Sequence, residues 1–194
     1  MEYSKQIIGN KCYLSPLEIT DAEKVAKWLN DLKVQMNLDF VFSLTADEER
    51  FYIPELKKVS RVFGIIDNES NHIIGVTGLH EIDHISRRAM LGIFIGEEEF
   101  RNNGYGTEAV KLTLDFGFNM LNLNNIGLYV IEFNKGAIKA YEKCGFKYAG
   151  RRRQSKILGD EKFDMILMDI LADEFTSVFV KETLNNLKNE PKQT

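Results

Sequence analysis

The chain has 194 residues, 44% of them hydrophobic and 28% charged, a balance that suits one globular domain and excludes a disordered or fibrous chain. A net charge of −4 argues against an extended nucleic-acid surface and is compatible with a cationic partner. No apolar run reaches the ~18 residues of a membrane span, and the first residues lack a signal-peptide profile, so a cytoplasmic protein without membrane contact is expected.

Lys11 to Leu17 reads as a strand. Thr20-Asp21-Ala22-Glu23 has the form of a capping box, followed by Ala22, Val25, Ala26, Leu29 and Leu32 at helical spacing. Gln35 to Ser43 is a loop carrying Asn37, Asp39, Phe40 and Phe42. A second capping box, Thr45-Ala46-Asp47-Glu48, opens another helix, which Pro54 is expected to kink or end early. Arg61–Ile66 and His72–Glu81 are strands around the turn at residues 67–71, and Arg88–Gly96 is a third. Thr107–Leu121 is a helix apolar over most of its circumference, as burial against a sheet requires. Asn125–Phe133 is a strand, Lys135–Cys144 a short helix with Gly145 at its C′ position, and Lys147–Ile157 with Lys162–Ile170 a hairpin. The order describes one mixed α/β domain over residues 1–171. A tail over 172–194 starts helical through Phe175, Val178 and Val180, and is expected to fray after Asn185.

The segment with most chemical meaning is Arg101-Asn102-Asn103-Gly104-Tyr105-Gly106, between a strand and a helix start. Free backbone N–H groups and the positive end of a helix dipole suit a phosphate or diphosphate. Gly104 and Gly106 let the backbone approach such an anion closely. Taken literally, Gly104-x-Gly106-x-x-Ala109 matches a dinucleotide fingerprint, with Glu132 as the ribose-binding acid. Eight residues between Ile95 and Gly104, and the antiparallel-looking strands before them, argue against it.

Arg101-x-x-Gly104-x-Gly106 resembles the coenzyme A pyrophosphate signature of the GNAT N-acetyltransferase superfamily. Asn134-Lys135-Gly136-Ala137, continuing through Tyr141 to Gly145-Phe146, resembles that superfamily's second block. Leu14 to Leu17, Asp21 and Trp28-Leu29-Asn30-Asp31 are similar to the group that acetylates ribosomal-protein N-termini and polyamines. The resemblance covers about residues 10 to 171. It implies a mixed, α+β-like GNAT fold: a central, mostly antiparallel twisted sheet with flanking helices and a splayed cofactor cleft between Arg88–Gly96 and Asn125–Phe133.

It also implies an N-acetyltransferase that moves an acetyl group directly from acetyl-CoA to a primary amine, either a small cationic molecule such as a polyamine or a protein N-terminus. Main-chain groups of Phe94 and Ile95 would meet the pantetheine arm and polarise the thioester. Arg101 would cap the diphosphate, and Asn102, Asn103, Gly104, Tyr105, Gly106 and Thr107 would complete its site. Asn134 is read as a helix N-cap that also reaches the pantetheine. Tyr141 is the expected general acid for the departing thiolate. Glu81 is the leading candidate to accept the amine proton, with His80 and Asp83 behind it.

Cys144 lies one helical turn from Tyr141, but a buried thiol is inert and direct attack is expected. His72, His80 and His84 show no zinc spacing, so no metal is expected. The rival function is a non-catalytic acyl-CoA-binding sensor or scaffold. A homodimer through the last strands or the tail is compatible with the sequence.

Overall fold

The computed structural model describes residues 2–41, 43–177 and 179–189. Phe42 of the expected loop, Val178 of the expected tail helix and residues 190–194 lie outside the described residues. The chain runs β1 (Ile7–Ile8), β2 (Cys12–Pro16), α1 (Ala22–Leu29), α2 (Leu32–Gln35), α3 (Ala46–Val59), β3 (Arg61–Asp67), β4 (Ile73–Asp83) and β5 (Arg88–Ile95). It continues through α4 (Tyr105–Asn119), β6 (Asn125–Ile131), α5 (Lys135–Lys143), β7 (Lys147–Leu158), β8 (Glu161–Leu171) and α6 (Phe179–Asn189).

One sheet holds these strands in the order β1-β2-β3-β4-β5-β6-β8-β7. Neighbours are antiparallel except β5 and β6, which run parallel. That parallel pairing is short: Arg88, Ala89 and Met90 meet Asn125, Ile126 and Gly127, and it stops there. β5 stays on β4 until Ile95 faces Gly75, while β6 stays on β8 until Ile131 faces Met165. The two strands therefore separate beyond Met90 and Gly127, leaving a wedge-shaped cleft in the middle of the sheet. Arg87 pins its closed end: Nε donates to the Asn122 carbonyl at 2.7 Å, and its own carbonyl accepts the Asn125 N–H at 3.2 Å.

Both faces of the sheet are covered, so the central strands read as nearly continuous apolar runs. Alternation divides them between two cores. Leu14, Phe63 and Ile65 pack with Leu112, Leu114 and Phe116 of α4, whereas Tyr13, Val62 and Ile66 pack with Val25, Trp28 and Leu29 of α1 and Ile53 of α3. Burial on this scale contributes about 1.5–3 kcal/mol for each large aliphatic or aromatic side chain.

Three local expectations are corrected. The capping box at Thr20 is replaced by a 3₁₀ turn over Ile19–Asp21, in which Asp21 Oδ2 accepts the Glu18 N–H at 2.9 Å. Leu32 does not extend the first helix. The chain turns at Asn30, Asp31 caps α2 by accepting the Lys33 N–H at 2.9 Å, and Leu32 is left exposed. Pro54 does not end α3, which runs on to Val59. Proline removes one intrahelical donor, but the Thr45–Glu48 capping box and the buried Ile53 hold the helix before the loss, and the Ser60 N–H on the Leu56 carbonyl at 2.9 Å closes it beyond.

The last helix starts at Phe179, after a 3₁₀ turn over Ala172–Glu174. Asp115, fully buried on α4, receives its beginning: Oδ1 accepts from Ser177 Oγ at 2.7 Å, and Oδ2 accepts the N–H groups of Phe179 and Val180 at 2.9 and 3.1 Å.

Candidate active site

The loop after β5 is a tethered turn. Asn102 and Gly104 both have positive φ, 61° and 87°, and Gly104 is the N-cap of α4. Only glycine takes that conformation without cost from a Cβ. The intrahelical ladder begins with the Glu108 N–H on the Gly104 carbonyl at 3.0 Å. The N–H groups of Tyr105, Gly106 and Thr107 precede it and point out of the helix end, where the dipole favours an anion.

Gly106 tests whether a ligand fits this cradle. Beyond its own turn of helix, a Cβ placed on it would come no nearer than 3.8 Å to a protein atom, Cγ1 of Ile95. Its backbone is not in the left-handed region. Packing does not demand glycine here, so the open space above residue 106 suits close approach by a bound group.

Arg101, expected to cap the diphosphate, is bonded within its own loop. Its Nε donates to the Ile95 carbonyl at 2.9 Å and a terminal nitrogen to the Gly96 carbonyl at 2.7 Å, so the guanidinium ties the loop back to the end of β5. Asn103 closes the turn by donating to the Glu99 carbonyl at 2.8 Å. Tyr105 donates its hydroxyl to Asp67 at 2.8 Å, and that bond, followed by desolvation, pushes its pKa up to about 12.

Main-chain direction distinguishes the two strand residues. Gly96 donates its N–H to Ile74 at 2.9 Å. Antiparallel alternation therefore turns the Phe94 main chain toward β4, and those of Ile93 and Ile95 toward the cleft. Phe94 contributes its ring instead, edge-on to Trp28 with centroids 6.2 Å apart.

The opposite wall of the cleft leads into α5. Asn134 is its N-cap, Oδ1 accepting the Ala137 N–H at 3.1 Å, and its amide donates to Asn37 Oδ1 at 2.9 Å. Two turns on, Tyr141 packs its ring against Phe146 at 5.8 Å, and burial pushes the phenol pKa up to about 12. It stays protonated at neutral pH and can donate that proton. Cys144 is buried, donates to the Thr107 carbonyl at 3.5 Å, and is pushed up to about 11 by burial. Such a thiol is a poor nucleophile.

The far side of β4 carries the candidate proton acceptors. Its ladder with β5 slips between His80 and Asp83, and Glu81 sits in that bulge, exposed, with φ 50°. Strained non-glycine backbone of this kind concentrates at functional sites. His80 is half-buried. Its Nδ1 lies 3.2 Å from Ser60 Oγ, its Nε2 packs so closely on Gly92 that a Cβ there would come within 3.2 Å of it, and burial lowers its pKa while the Glu81 charge works the other way. Asp83 accepts the N–H groups of Ile85 and Ser86, both at 2.9 Å, and pairs with Arg88.

Lys156 escaped sequence reasoning. It is buried on β7, and its ammonium donates to the Leu38 and Asp39 carbonyls at 2.7 and 3.1 Å, holding down the loop over the cleft. A lysine in a largely exposed strand gives no signal for such a contact. Glu132, the ribose-binding acid of the dinucleotide alternative, instead accepts the Asp164 N–H at 2.7 Å and ties β6 to β8. Among the described residues no group of three or more His, Cys, Asp or Glu is arranged to hold a metal, and no helix is long and apolar enough to cross a membrane.

Comparison with known proteins agrees with this geometry. A family model described as an acetyltransferase (GNAT) domain matches residues 11–147. The probable N-acetyltransferase YjcK of Bacillus subtilis is 31% identical over 179 residues, covering 86% of this chain and 97% of that protein. Spermidine N(1)-acetyltransferase of Escherichia coli K12 is 35% identical over 101 residues, 52% of this chain and 54% of the other. The crystal structure of spermidine N-acetyltransferase from Vibrio cholerae, in complex with CoA and spermine, superposes with a TM-score of 0.80 at 26% identity, covering 86% of this chain and 98% of that one.

Proposed function

This chain belongs to the GNAT acetyltransferase family and is an N-acetyltransferase that uses acetyl-CoA, and from that premise we propose how its residues divide the reaction and which amines it takes. The observation that carries the reading is the separation of β5 from β6 beyond Met90 and Gly127, between the Gly104 loop and Tyr141. The diphosphate rests on the N–H groups of residues 102–107, within the loop that Arg101 holds in shape. The pantetheine arm lies along the cleft-facing main chain of Ile93 and Ile95, with Asn134 on the other wall. An N–H aimed at the thioester oxygen stabilises the charge that develops there, a term on the order of 3 kcal/mol for one well-placed donor.

The amine attacks the thioester carbon, the C–S bond breaks, and Tyr141 supplies the proton that the departing sulfur takes up. His80, held neutral by burial, receives the amine proton and relays it to Glu81 and solvent. Residues 1–171 form the catalytic unit, and α6 is an addition anchored on it by Asp115.

The acceptor is a small polycationic amine of the polyamine class. Both spermidine acetyltransferases support this, as do the exposed carboxylates of Asp39 and Glu81. A thiol-release assay with acetyl-CoA and a panel of polyamines, aminoglycosides, amino sugars and N-terminal peptides tests it. Turnover confined to peptides would remove the polyamine reading. Coenzyme A binding without turnover on any amine would leave a sensor in place of an enzyme.

A further inference from the structure

We propose that Lys11, in the turn between β1 and β2, is a phosphate-binding cation of the coenzyme A site. The proposal rests on the reading of residues 102–107 as a diphosphate cradle. Coenzyme A brings a diphosphate and a 3′-phosphate to this corner of the molecule. Arg101, the cation within the loop, directs two nitrogens at the carbonyls of Ile95 and Gly96. The acids on the same corner, Asp67, Glu69 and Glu108, leave a multiply charged anion in need of a positive group from elsewhere.

Lys11 is in that position. Its Cε comes within 3.7 Å of where a Cβ on Gly104 would be, and its ammonium lies 5.5 Å from the centroid of the Tyr105 ring. The charge thus sits beside the N-cap and first residue of α4. It forms no ion pair with a carboxylate among the described residues. The stem is long enough to swing the ammonium from the ring face onto a phosphate oxygen.

The turn that carries it is built against the cofactor helix. Glu108, in the first turn of α4, accepts the Asn10 N–H on Oε1 at 3.0 Å, and the N–H groups of Lys11 and Cys12 on Oε2 at 2.7 and 2.9 Å. From the other side, Asn68 donates its side-chain amide to the Gly9 and Asn10 carbonyls, both at 2.9 Å, and its N–H to the Lys11 carbonyl at 3.0 Å. A Cβ on Gly9 would lie 2.8 Å from Glu108 Cδ, so glycine lets the turn come this close. The Lys11 backbone is therefore held at both its N–H and its carbonyl. Three donors also quench the Glu108 carboxylate, which would otherwise oppose an incoming phosphate. Glu108 is a positioning residue.

Calorimetry with coenzyme A and with dephospho-coenzyme A on the full chain tests the assignment. Lys11→Met should raise the coenzyme A Kd about tenfold, as expected for loss of one charge-assisted contact, and flatten its salt dependence. Lys11→Arg should restore most of the affinity. Loss shared by both ligands places the lysine on the diphosphate, and loss confined to coenzyme A places it on the 3′-phosphate. The side chain is exposed, so an unchanged melting temperature is expected and separates lost binding from lost folding. An unchanged Kd in Lys11→Met overturns the proposal. Failure of the wild-type chain to bind either ligand would overturn the cradle reading beneath it.

Discussion

Asn134 Nδ2 lies 2.9 Å from Asn37 Oδ1, and this bond joins two residues 97 positions apart across the mouth of the cleft. Asn134 caps the helix of the cofactor wall, while Asn37 belongs to the loop that Lys156 holds down from the other side. Loss of the bond should loosen the loop without touching the diphosphate cradle. Asn37→Ala is expected to raise the amine KM several-fold and leave the coenzyme A Kd unchanged. Asn134→Ala should likewise raise the amine KM, but should also weaken coenzyme A binding through its place on the pantetheine wall and cost about 1 kcal/mol of stability through the lost cap. Steady-state kinetics and thermal melts on both variants check this, and equal KM values in Asn37→Ala and wild type would remove the coupling.

Gly106 separates what the fold needs from what the ligand needs. Alanine fits the space around it, with 3.8 Å to the nearest atom beyond its own turn of helix, and is the better helix former by up to about 1 kcal/mol. Gly106→Ala should therefore melt no lower than wild type while its coenzyme A Kd rises at least tenfold. If binding survives, the anion does not approach this residue.

Tyr141 is expected to matter for turnover and little for binding. Tyr141→Phe should reduce kcat by about 10²–10⁴, the usual worth of general acid catalysis, with coenzyme A affinity retained. Burial pushes the phenol up to about 12, so ionisation of Tyr141 should produce no alkaline fall in rate until well above pH 10. A wild-type kcat in the phenylalanine variant would assign the proton to another donor.

For His80 the sign is opposite. Burial lowers its pKa from the ordinary 6.5 against the opposing pull of the Glu81 charge, and its Nδ1 lies 3.2 Å from the Ser60 hydroxyl. The neutral ring therefore persists below pH 6.5, and the acid limb of kcat/KM should fall below that value. His80→Gln should abolish the limb, and Glu81→Gln should move it to still lower pH by removing a charge that favours the imidazolium. The same depression means that the stability His80 contributes is complete above about pH 6.5, the unfolded value, and is lost as pH falls through the lower folded value. A pH–rate profile unchanged in His80→Gln would leave the amine proton to another acceptor.

Much of the site was legible because its signals are local. Strand, loop and helix start around Gly104 are adjacent in sequence, and Asn134 and Gly145 mark the two ends of one short helix. The splay was legible only by resemblance, because it depends on where two strands 37 residues apart stop pairing, and no short pattern encodes that. Arg101 reads as a ligand of the anion because a charged residue in a phosphate signature looks like one, and its reach back to β5 depends on a contact that no local pattern encodes. Lys11 and Lys156 left no trace, since a lysine in a turn or an edge strand is ordinary until the chain brings Gly104 or Leu38 to it. Leu32 had the spacing to continue a helix, and Asp31, a good cap one residue earlier, outweighed it.

Glu49 shows how far the face opposite the cofactor helix departs from a fully apolar core. It is 3% exposed on α3, its Oε2 has no hydrogen-bond partner among the described residues, and burial raises its pKa above the ordinary 4.5. A raised carboxylate pKa means that the unfolded chain ionises first. Stability is then greatest below about pH 4.5 and declines as pH rises through the window up to the folded value. Glu49→Met removes the unpaired carboxyl with little change in volume and should add about 1 kcal/mol at pH 7, or roughly 2–4 °C in Tm. The gain should shrink as pH approaches 4. Thermal melts of both proteins between pH 4 and 8 check this, and a gain that does not vary with pH would mean that packing, rather than ionisation, sets the cost of Glu49.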